Sequence, residues 1–178
     1  MGQMVVLTNS RGDSIGTEDV EAVHRGRAQL HRAFSIFVFD SSGRLLLQRR
    51  NEEKGYGGLW SNTCCSHPPP DEELLEASKR RLQEEMGFST ALREVDSFIY
   101  RATDARSGTT EFEYDHLLVG FFDGNPTVDA QEVAAWRWIE LTTLLEDLHG
   151  HPQMFTPWFK LAVERLSHLR VHATSAST

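Results

Sequence analysis

The sequence predicts a single domain of mixed α+β structure, an α/β/α sandwich around a mixed β-sheet. Hydrophobic residues make up 39% of the 178 residues, which is enough for one hydrophobic core. Strand and helix patterns follow each other irregularly, with hairpins in place of strict β-α-β alternation. No linker, internal repeat or low-complexity segment divides residues 1–178, of which 1–15 are expected to form an N-terminal extension and 170–178 a frayed tail.

Turn signals and the spacing of apolar residues place the elements along the chain. The expected strands are 4–8, 33–39, 44–50, 97–101, 111–122 and 134–139, and the expected helices are Thr17 to Gly26, Asp71 to Met86, 142–148 and 157–166. A turn at 40–43 joins the second and third strands in a hairpin. Residues 51–70 form a long loop rich in glycine and proline, and loops of this length inside compact domains are usually functional.

The charge balance limits the possible partners. The chain has 26 Asp and Glu against 18 Lys and Arg, a formal net charge of -8. This charge opposes binding to nucleic acid or to an anionic membrane, so an anionic substrate needs a local basic patch or metal ions. No apolar run is long enough to span a membrane, and the N-terminus lacks a secretion-signal pattern. The adjacent Cys64 and Cys65 cannot connect distant segments, which favours the reducing cytoplasm.

The helix Asp71 to Met86 carries the first candidate site. Asp71 is expected to cap this helix, and Gly87 to end it. Its expected buried residues are Leu75, Leu82 and Met86. Glu85 lies beside that stripe, where a cleft could reach it, and carboxylates on one helix can bind a hard divalent cation that also contacts diphosphate oxygens. The alternative is a surface helix with ordinary i,i+4 charge pairs.

A second candidate is the loop segment that contains Cys65, Ser66 and His67. A thiol with a suitable neighbour can serve as acid, base or nucleophile, and a thiol and an imidazole together can also ligate a soft metal. The alternative is an inert buried cysteine beside a surface histidine.

Two further pairs add potential metal ligands. Glu111 and Glu113 share one face of a strand and repel each other unless a metal or a proton lies between them. The alternative is a solvent-facing strand edge. His24 and His31 could ligate a metal, but the chain has eight histidines, so a histidine alone decides nothing. With His67 these residues would suit Mn²⁺, Zn²⁺ or Fe²⁺, although their spacing does not establish that they converge.

Taken together, these motifs resemble the type I isopentenyl-diphosphate Δ-isomerases of the Nudix superfamily. The resemblance spans residues 16–166, and the segments that carry it are 16–24, 30–35, 46–50, 58–68, 100–102, 111–113 and 155–159. Residues 80–88, RRLQEEMGF, resemble the end of the Nudix box. Arg81 departs from the box, because a Glu is usual there, and Ser66 departs from its leading Gly.

The resemblance implies a Nudix-like sandwich and an enzyme of isoprenoid biosynthesis that interconverts isopentenyl and dimethylallyl diphosphate through a tertiary carbocation. The implied ligands of one divalent metal, Mn²⁺ or Zn²⁺, are His24, His31, His67, Glu111 and Glu113. Glu85 would hold a Mg²⁺ on the substrate diphosphate, which Arg50, Lys54 and Arg81 would also contact. Cys65 and Glu113 would be the acid/base pair, Tyr100 would assist proton delivery, and Trp158 would stabilise the cation.

The implied partner is therefore a small allylic or homoallylic diphosphate, and nothing in the sequence requires more than a monomer. Ser66 occupies a position where the family commonly has Gly, and Ser would be unfavourable if the backbone φ there were positive. Two alternatives remain. A Nudix pyrophosphohydrolase leaves Cys65 without a role and is weakened by Arg81, and a non-enzymatic metal-binding domain leaves Cys65, Glu113 and Tyr100 unexplained.

Overall fold

The computed structural model describes the backbone of residues 2–175 and the side chains of residues 2–167. Within this part of the chain, nine strands form one sheet. They are β1 (Met4–Thr8), β2 (Ser14–Asp19), β3 (His31–Phe39), β4 (Leu45–Arg50), β5 (Trp60–Ser61), β6 (Cys64–Ser66), β7 (Arg93–Thr103), β8 (Thr110–Phe121) and β9 (Val133–Ile139). The helices are α1 (Val20–Val23), α2 (Leu74–Met86), α3 (Leu141–Gly150) and α4 (Pro157–Ser175).

Strand β3 lies at the centre of the sheet. It pairs in parallel with β8 from His31–Glu113 to Phe39–Phe121, and antiparallel with β6. Strand β8 pairs antiparallel with β7, and β4 pairs antiparallel with β9. Parallel strands need a long crossover connection, and the chain between β3 and β8 supplies one that contains α2. The predicted mixed sheet is therefore confirmed.

Helices cover both faces of this sheet. Ile36 of β3 packs with Leu82 of α2 in one core, whereas the adjacent Phe37 packs with Leu144 of α3 and Phe159 of α4 in another. Successive residues of a strand point to opposite faces, so one strand contributes to two cores. The α/β/α sandwich predicted from the sequence is confirmed.

Helix α2 differs from the prediction at its start. It begins at Leu74 rather than Asp71, and Glu73 precedes it without a side-chain capping bond. Its predicted end is confirmed, because Gly87 adopts a left-handed conformation with φ of 76°. The expected burial of Leu75 was wrong, since its exposed fraction is 39%. Leu75 lies in the first turn, and the fully buried side of the helix begins only at Ala77.

The N-terminal segment also differs. Thr17 was predicted to cap a helix, but it pairs with Val6 in the β1–β2 hairpin. The β2 strand continues to Asp19, whose side chain caps the N-terminus of α1. This helix is a single turn that ends at Val23, before the predicted end at Gly26.

The C-terminal helix is longer than predicted. The backbone of α4 is helical through Ser175, so it covers residues 170–175, which were expected to fray. The rest of that expected tail, 176–178, lies outside the described residues. None of the described helices is long and apolar enough to cross a membrane.

Candidate active site

The five residues proposed as metal ligands come together at one end of β3 and β8. Their ligand atoms all lie within 4.8 Å of one another. His31 begins β3, and its register partner in β8 is Glu113. Glu111 lies on the same face of β8, His24 directly follows α1, and His67 directly follows β6. The parallel pairing of β3 with β8 therefore produces a convergence that residue spacing alone did not establish.

Backbone carbonyls orient two of the imidazoles. The Nδ1 of His24 lies 2.5 Å from the Val20 oxygen, and the Nδ1 of His31 lies 2.9 Å from the Gln29 oxygen. A carbonyl oxygen only accepts hydrogen bonds, so Nδ1 is the donor in each ring and Nε2 is the nitrogen that faces the cluster. The Nε2 of His24 faces Glu111 Oε2 at 2.8 Å, and the Nε2 of His67 faces Glu113 Oε1 at 2.8 Å. This orientation is typical of histidine metal ligands.

The donor set fits a divalent metal ion. His24 Nε2 and Glu111 Oε2 are buried and have only each other as polar partners, 2.8 Å apart, so a divalent ion at this place would bind both atoms. Burial lowers the pKa of His31 and of His67 to about 4, so both rings are neutral at physiological pH. Neutral imidazole is the form that ligates metals. Three imidazoles with two carboxylates suit Mn²⁺, Zn²⁺ or Fe²⁺.

A small cavity adjoins this cluster and shares Glu113 with it. Cys65, Tyr100, Glu113 and Trp158 are among its lining residues. The Oε2 of Glu113 accepts a hydrogen bond of 2.5 Å from the Tyr100 hydroxyl, while Oε1 faces His67. Burial and the nearby Glu113 carboxylate raise the pKa of Tyr100, so its phenol keeps the proton that it donates. Glu113 thus connects the metal cluster with the cavity.

The Cys65 thiol enters the same cavity from β6. Its Sγ accepts a hydrogen bond of 3.2 Å from Arg50 Nη1. Burial raises the pKa of Cys65 to about 12, and the Arg50 guanidinium acts in the opposite direction. The preceding Cys64 is fully buried in the core on the α2 side, because adjacent strand residues face opposite sides. Ser66 lies in extended β6 without a positive φ, so Gly is not required there.

Trp158 forms the aromatic wall of the cavity. Only 3% of its side chain is exposed, and its indole Nε1 donates a hydrogen bond of 3.2 Å to Asn62 Oδ1. Its ring centroid lies 5.9 Å from that of Tyr100 and 5.5 Å from the Arg50 guanidinium carbon. The indole face is therefore desolvated and held by neighbours on several sides.

A larger cleft of about 560 Å³ opens beside the cavity and is lined by several cationic side chains. Its basic lining residues are Arg50, Lys54, Arg80 and Arg81. Cys65 and His67 also border the cleft, so it joins the cavity directly. These cationic side chains are available to an anionic substrate, and Lys54 and Arg81 among them are also paired with carboxylates.

Arg81 lies among three carboxylates in this cleft. Its guanidinium is 2.6 Å from Glu84, 2.7 Å from Glu85 and 3.0 Å from Glu132. Glu85 is 3% exposed and lies outside the five-residue cluster, and its second oxygen accepts a hydrogen bond of 3.3 Å from Gln48. Glu132 also pairs with Lys54. No sequence motif marked Glu132, because only the folded chain brings the segment before β9 to the cleft.

Comparisons with known proteins agree on the family. The NUDIX domain family matches residues 29–159. The isopentenyl-diphosphate Delta-isomerase of Burkholderia multivorans is 52% identical over 167 residues, covering 93% of each chain. The protein of the same name from Serratia proteamaculans is 45% identical, covering 89% of this chain and 88% of its own.

Solved structures show the same fold at low sequence identity. The DR0079 protein of Deinococcus radiodurans superposes with a TM-score of 0.72 at 16% identity, covering 90% of this chain and 97% of that chain. The MutT protein of Methanosarcina mazei superposes with a TM-score of 0.66 at 18% identity, covering 79% of this chain and 95% of that chain. The chain therefore belongs to the Nudix domain family and, within it, to the isopentenyl-diphosphate Delta-isomerase family.

Proposed function

We propose that this chain interconverts isopentenyl diphosphate and dimethylallyl diphosphate. The observation that carries the proposal is the cavity that Cys65, Glu113 and the Trp158 indole line together. The relatives' names and the adjoining cationic cleft support the same substrate class. The C5 hydrocarbon would occupy the cavity, and the diphosphate would occupy the cleft.

The reaction moves one double bond through two proton transfers. A proton adds to the terminal methylene carbon of isopentenyl diphosphate, and the double-bond electrons form the new C–H bond. This leaves a positive charge on the tertiary carbon. Loss of a proton from the neighbouring carbon of the main chain then forms the internal double bond, so the product has the same composition as the substrate.

Cys65 and Glu113 are the proposed acid/base pair. A positioned acid or base of this kind contributes roughly 10²- to 10⁴-fold to a rate. Tyr100 is proposed to assist proton delivery, which is supported by its hydrogen bond to Glu113 Oε2. Trp158 is proposed to stabilise the carbocation, because a desolvated indole face attracts a cation by about 2 kcal/mol or more.

The proposed ligands of the first metal, Mn²⁺ or Zn²⁺, are the five residues of the cluster. When bound, such an ion acidifies and orients the groups that it contacts. Glu85 is proposed as the ligand of a Mg²⁺ shared with the diphosphate, which is supported by its contact with Arg81 of the cleft lining. Arg50, Lys54 and Arg81 are the proposed diphosphate contacts, supported by their places in the cleft.

The competing proposal is a pyrophosphohydrolase of the same fold. It is disfavoured by Arg81, whose guanidinium pairs with Glu84 and Glu85 where the Nudix box has another carboxylate. A cation at this position suits binding of a diphosphate, whereas metal-assisted hydrolysis needs additional carboxylate ligands.

We further propose a cytoplasmic, monomeric, single-domain enzyme, and the free cysteines Cys64 and Cys65 support that compartment.

One experiment tests the proposed activity. The purified protein is incubated with isopentenyl diphosphate, Mg²⁺ and Mn²⁺ in D₂O, and the products are followed by NMR. Dimethylallyl diphosphate with deuterium in its methyl group, without phosphate release, is the expected result. A parallel incubation contains a nucleoside diphosphate derivative in place of isopentenyl diphosphate. Phosphate release there would favour the hydrolase, and absence of turnover in both incubations would contradict both enzymatic proposals.

A further inference from the structure

Tyr56 has an unusual backbone conformation beside the cavity. Among the described residues it is the one non-glycine residue with a positive φ, at 56°. Its side chain is buried, with 5% exposed, and its hydroxyl group has no hydrogen-bond partner. A left-handed backbone at a bulky residue and a buried unpaired hydroxyl both cost free energy. Costs of this kind concentrate at functional sites.

Contacts from two sides hold the Tyr56 segment in place. The Tyr56 amide donates a hydrogen bond of 3.2 Å to Asp104 Oδ2, and Arg106 Nη1 donates one of 3.0 Å to the Gly57 oxygen. On the other side, Arg50 Nε donates a hydrogen bond of 2.8 Å to the Gly55 oxygen. The segment between β7 and β8 and the end of β4 therefore fix the position of the Tyr56 ring.

The fixed ring meets the cavity wall. The ring centroids of Tyr56 and Trp158 are 5.1 Å apart, and their planes are inclined by 88°. Edge-to-face contact of this geometry is a favoured arrangement of aromatic rings. Tyr56 does not line the cavity itself, whereas Trp158 does. Tyr56 thus contacts the indole without lining the cavity.

We infer that Tyr56 is a positioning residue, whose ring holds the Trp158 indole against the reacting carbon atoms and thereby keeps water away from the carbocation. This inference rests on the proposed function. It assigns the role to the aromatic ring rather than to the hydroxyl group, because the hydroxyl contacts no polar atom of the described residues.

The role has a chemical signature that a purely structural role lacks. If the indole can move, water reaches the tertiary cation. The water oxygen then forms a bond to the cationic carbon and loses one proton to solvent or base. The product is a tertiary alcohol that keeps its diphosphate, formed from the alkene plus one water molecule. The ratio of alcohol to isomer measures how well the cavity excludes water.

The test compares Tyr56→Ala and Tyr56→Phe with the wild-type protein, using isopentenyl diphosphate and NMR to quantify both products. Tyr56→Ala should lower kcat by roughly tenfold to a hundredfold, as expected when a catalytic group is misplaced by about 1 Å. It should also raise the alcohol fraction, while metal content stays unchanged. Tyr56→Phe keeps the ring and should keep both the wild-type kcat and the wild-type product ratio.

Each remaining outcome decides the inference. Equal impairment of Tyr56→Phe and Tyr56→Ala would assign the role to the hydroxyl and overturn the inference. A Tyr56→Ala variant that forms no more alcohol than the wild type would also overturn it, whatever its kcat. Circular dichroism checks folding, and if Tyr56→Ala does not fold, Tyr56→Leu replaces it with the same expectations. A wild-type protein without isomerase activity would instead contradict the proposed function, so the two failures are distinguishable.

Discussion

At the scale of single residues, Cys65 and Cys64 offer a matched pair. They are adjacent in β6, yet Cys65 faces the cavity and Cys64 is buried in the core. Cys65→Ala removes one of the two proposed acid/base groups and should lower kcat by roughly 10²- to 10⁴-fold. Metal content should not change, because Cys65 lies outside the ligand cluster. Steady-state kinetics and metal analysis of the purified variant check both expectations.

The control for this prediction is Cys64→Ala. This variant loses a buried sulfur and should unfold at a slightly lower temperature, but its kcat should remain that of the wild type. Near-wild-type turnover by Cys65→Ala would remove Cys65 from the proposed pair.

Individual site residues differed in how far sequence predicts them. His67 and Glu113 belong to recognisable motifs, and the structure brings both into the cluster. Tyr56 and Glu132 belong to no motif. The environment of Tyr56 depends on Asp104, and the place of Glu132 depends on Lys54 and Arg81. Such tertiary partners are not adjacent in sequence, so local patterns could not identify either residue.

At the scale of elements, helix α2 carries a testable difference from the Nudix box. Arg81→Gln removes one positive charge from the cleft and leaves Glu85 buried without its ionic partner. We expect KM for isopentenyl diphosphate to rise about tenfold or more, since hydrogen bonds to charged groups contribute roughly 1.5–3 kcal/mol. Thermal stability should also fall, because an unpaired buried carboxylate is costly. Kinetics and calorimetry measure the two effects.

Lys79→Gln is the matched control, because it removes the same charge from the same helix. Lys79 pairs with Glu76 and lies outside the cleft lining. Its KM should stay at the wild-type value. An Arg81→Gln variant with unchanged KM would exclude Arg81 from the diphosphate contacts.

The ends of α2 illustrate which element boundaries sequence can predict. Gly87 ended the helix as predicted, because glycine adopts the left-handed conformation readily. The start was wrong by a few residues, since Asp71 has the preferred chemistry of a cap but Glu73 occupies the position. The buried part of α2 begins at Ala77 and Ser78, where the helix packs against the sheet. A helical wheel does not show where the sheet lies, so it could not predict that Leu75 is exposed.

At the scale of the whole molecule, a bound metal would connect distant parts of the chain. Its five proposed ligands come from the ends of α1, β3 and β6 and from β8. Removal of metal by a chelator should therefore abolish turnover and lower the Tm. Added Mn²⁺ at about 100 times its Kd should stabilise the native state by about 2.7 kcal/mol. Differential scanning calorimetry over a Mn²⁺ titration measures this shift.

His24→Ala and His151→Ala separate specific binding from general ion effects. His24 belongs to the cluster, whereas His151 is exposed and lies outside it. The first variant should lose most of the Mn²⁺-dependent rise in Tm, and the second should keep it. An equal response of both variants would contradict the metal site.

The global topology was only partly predictable. The β3–β4 hairpin follows from local turn chemistry and was confirmed. The parallel pairing of β3 with β8 joins residues about 80 positions apart, such as Ser35 and Leu117. Register over that distance depends on which faces are buried in the folded state. The proposed ligands were predicted from sequence motifs, whereas the sheet brings these residues together.

The segment from Arg50 to Tyr56 serves both ends of the substrate site. Arg50 contacts Cys65 and Trp158, Lys54 reaches the cationic cleft, and Tyr56 supports the indole. An insertion or deletion here would change the contacts with the diphosphate and the cavity around the hydrocarbon at the same time. Preference for head group and for chain length would then change together, which limits how far either could be engineered alone.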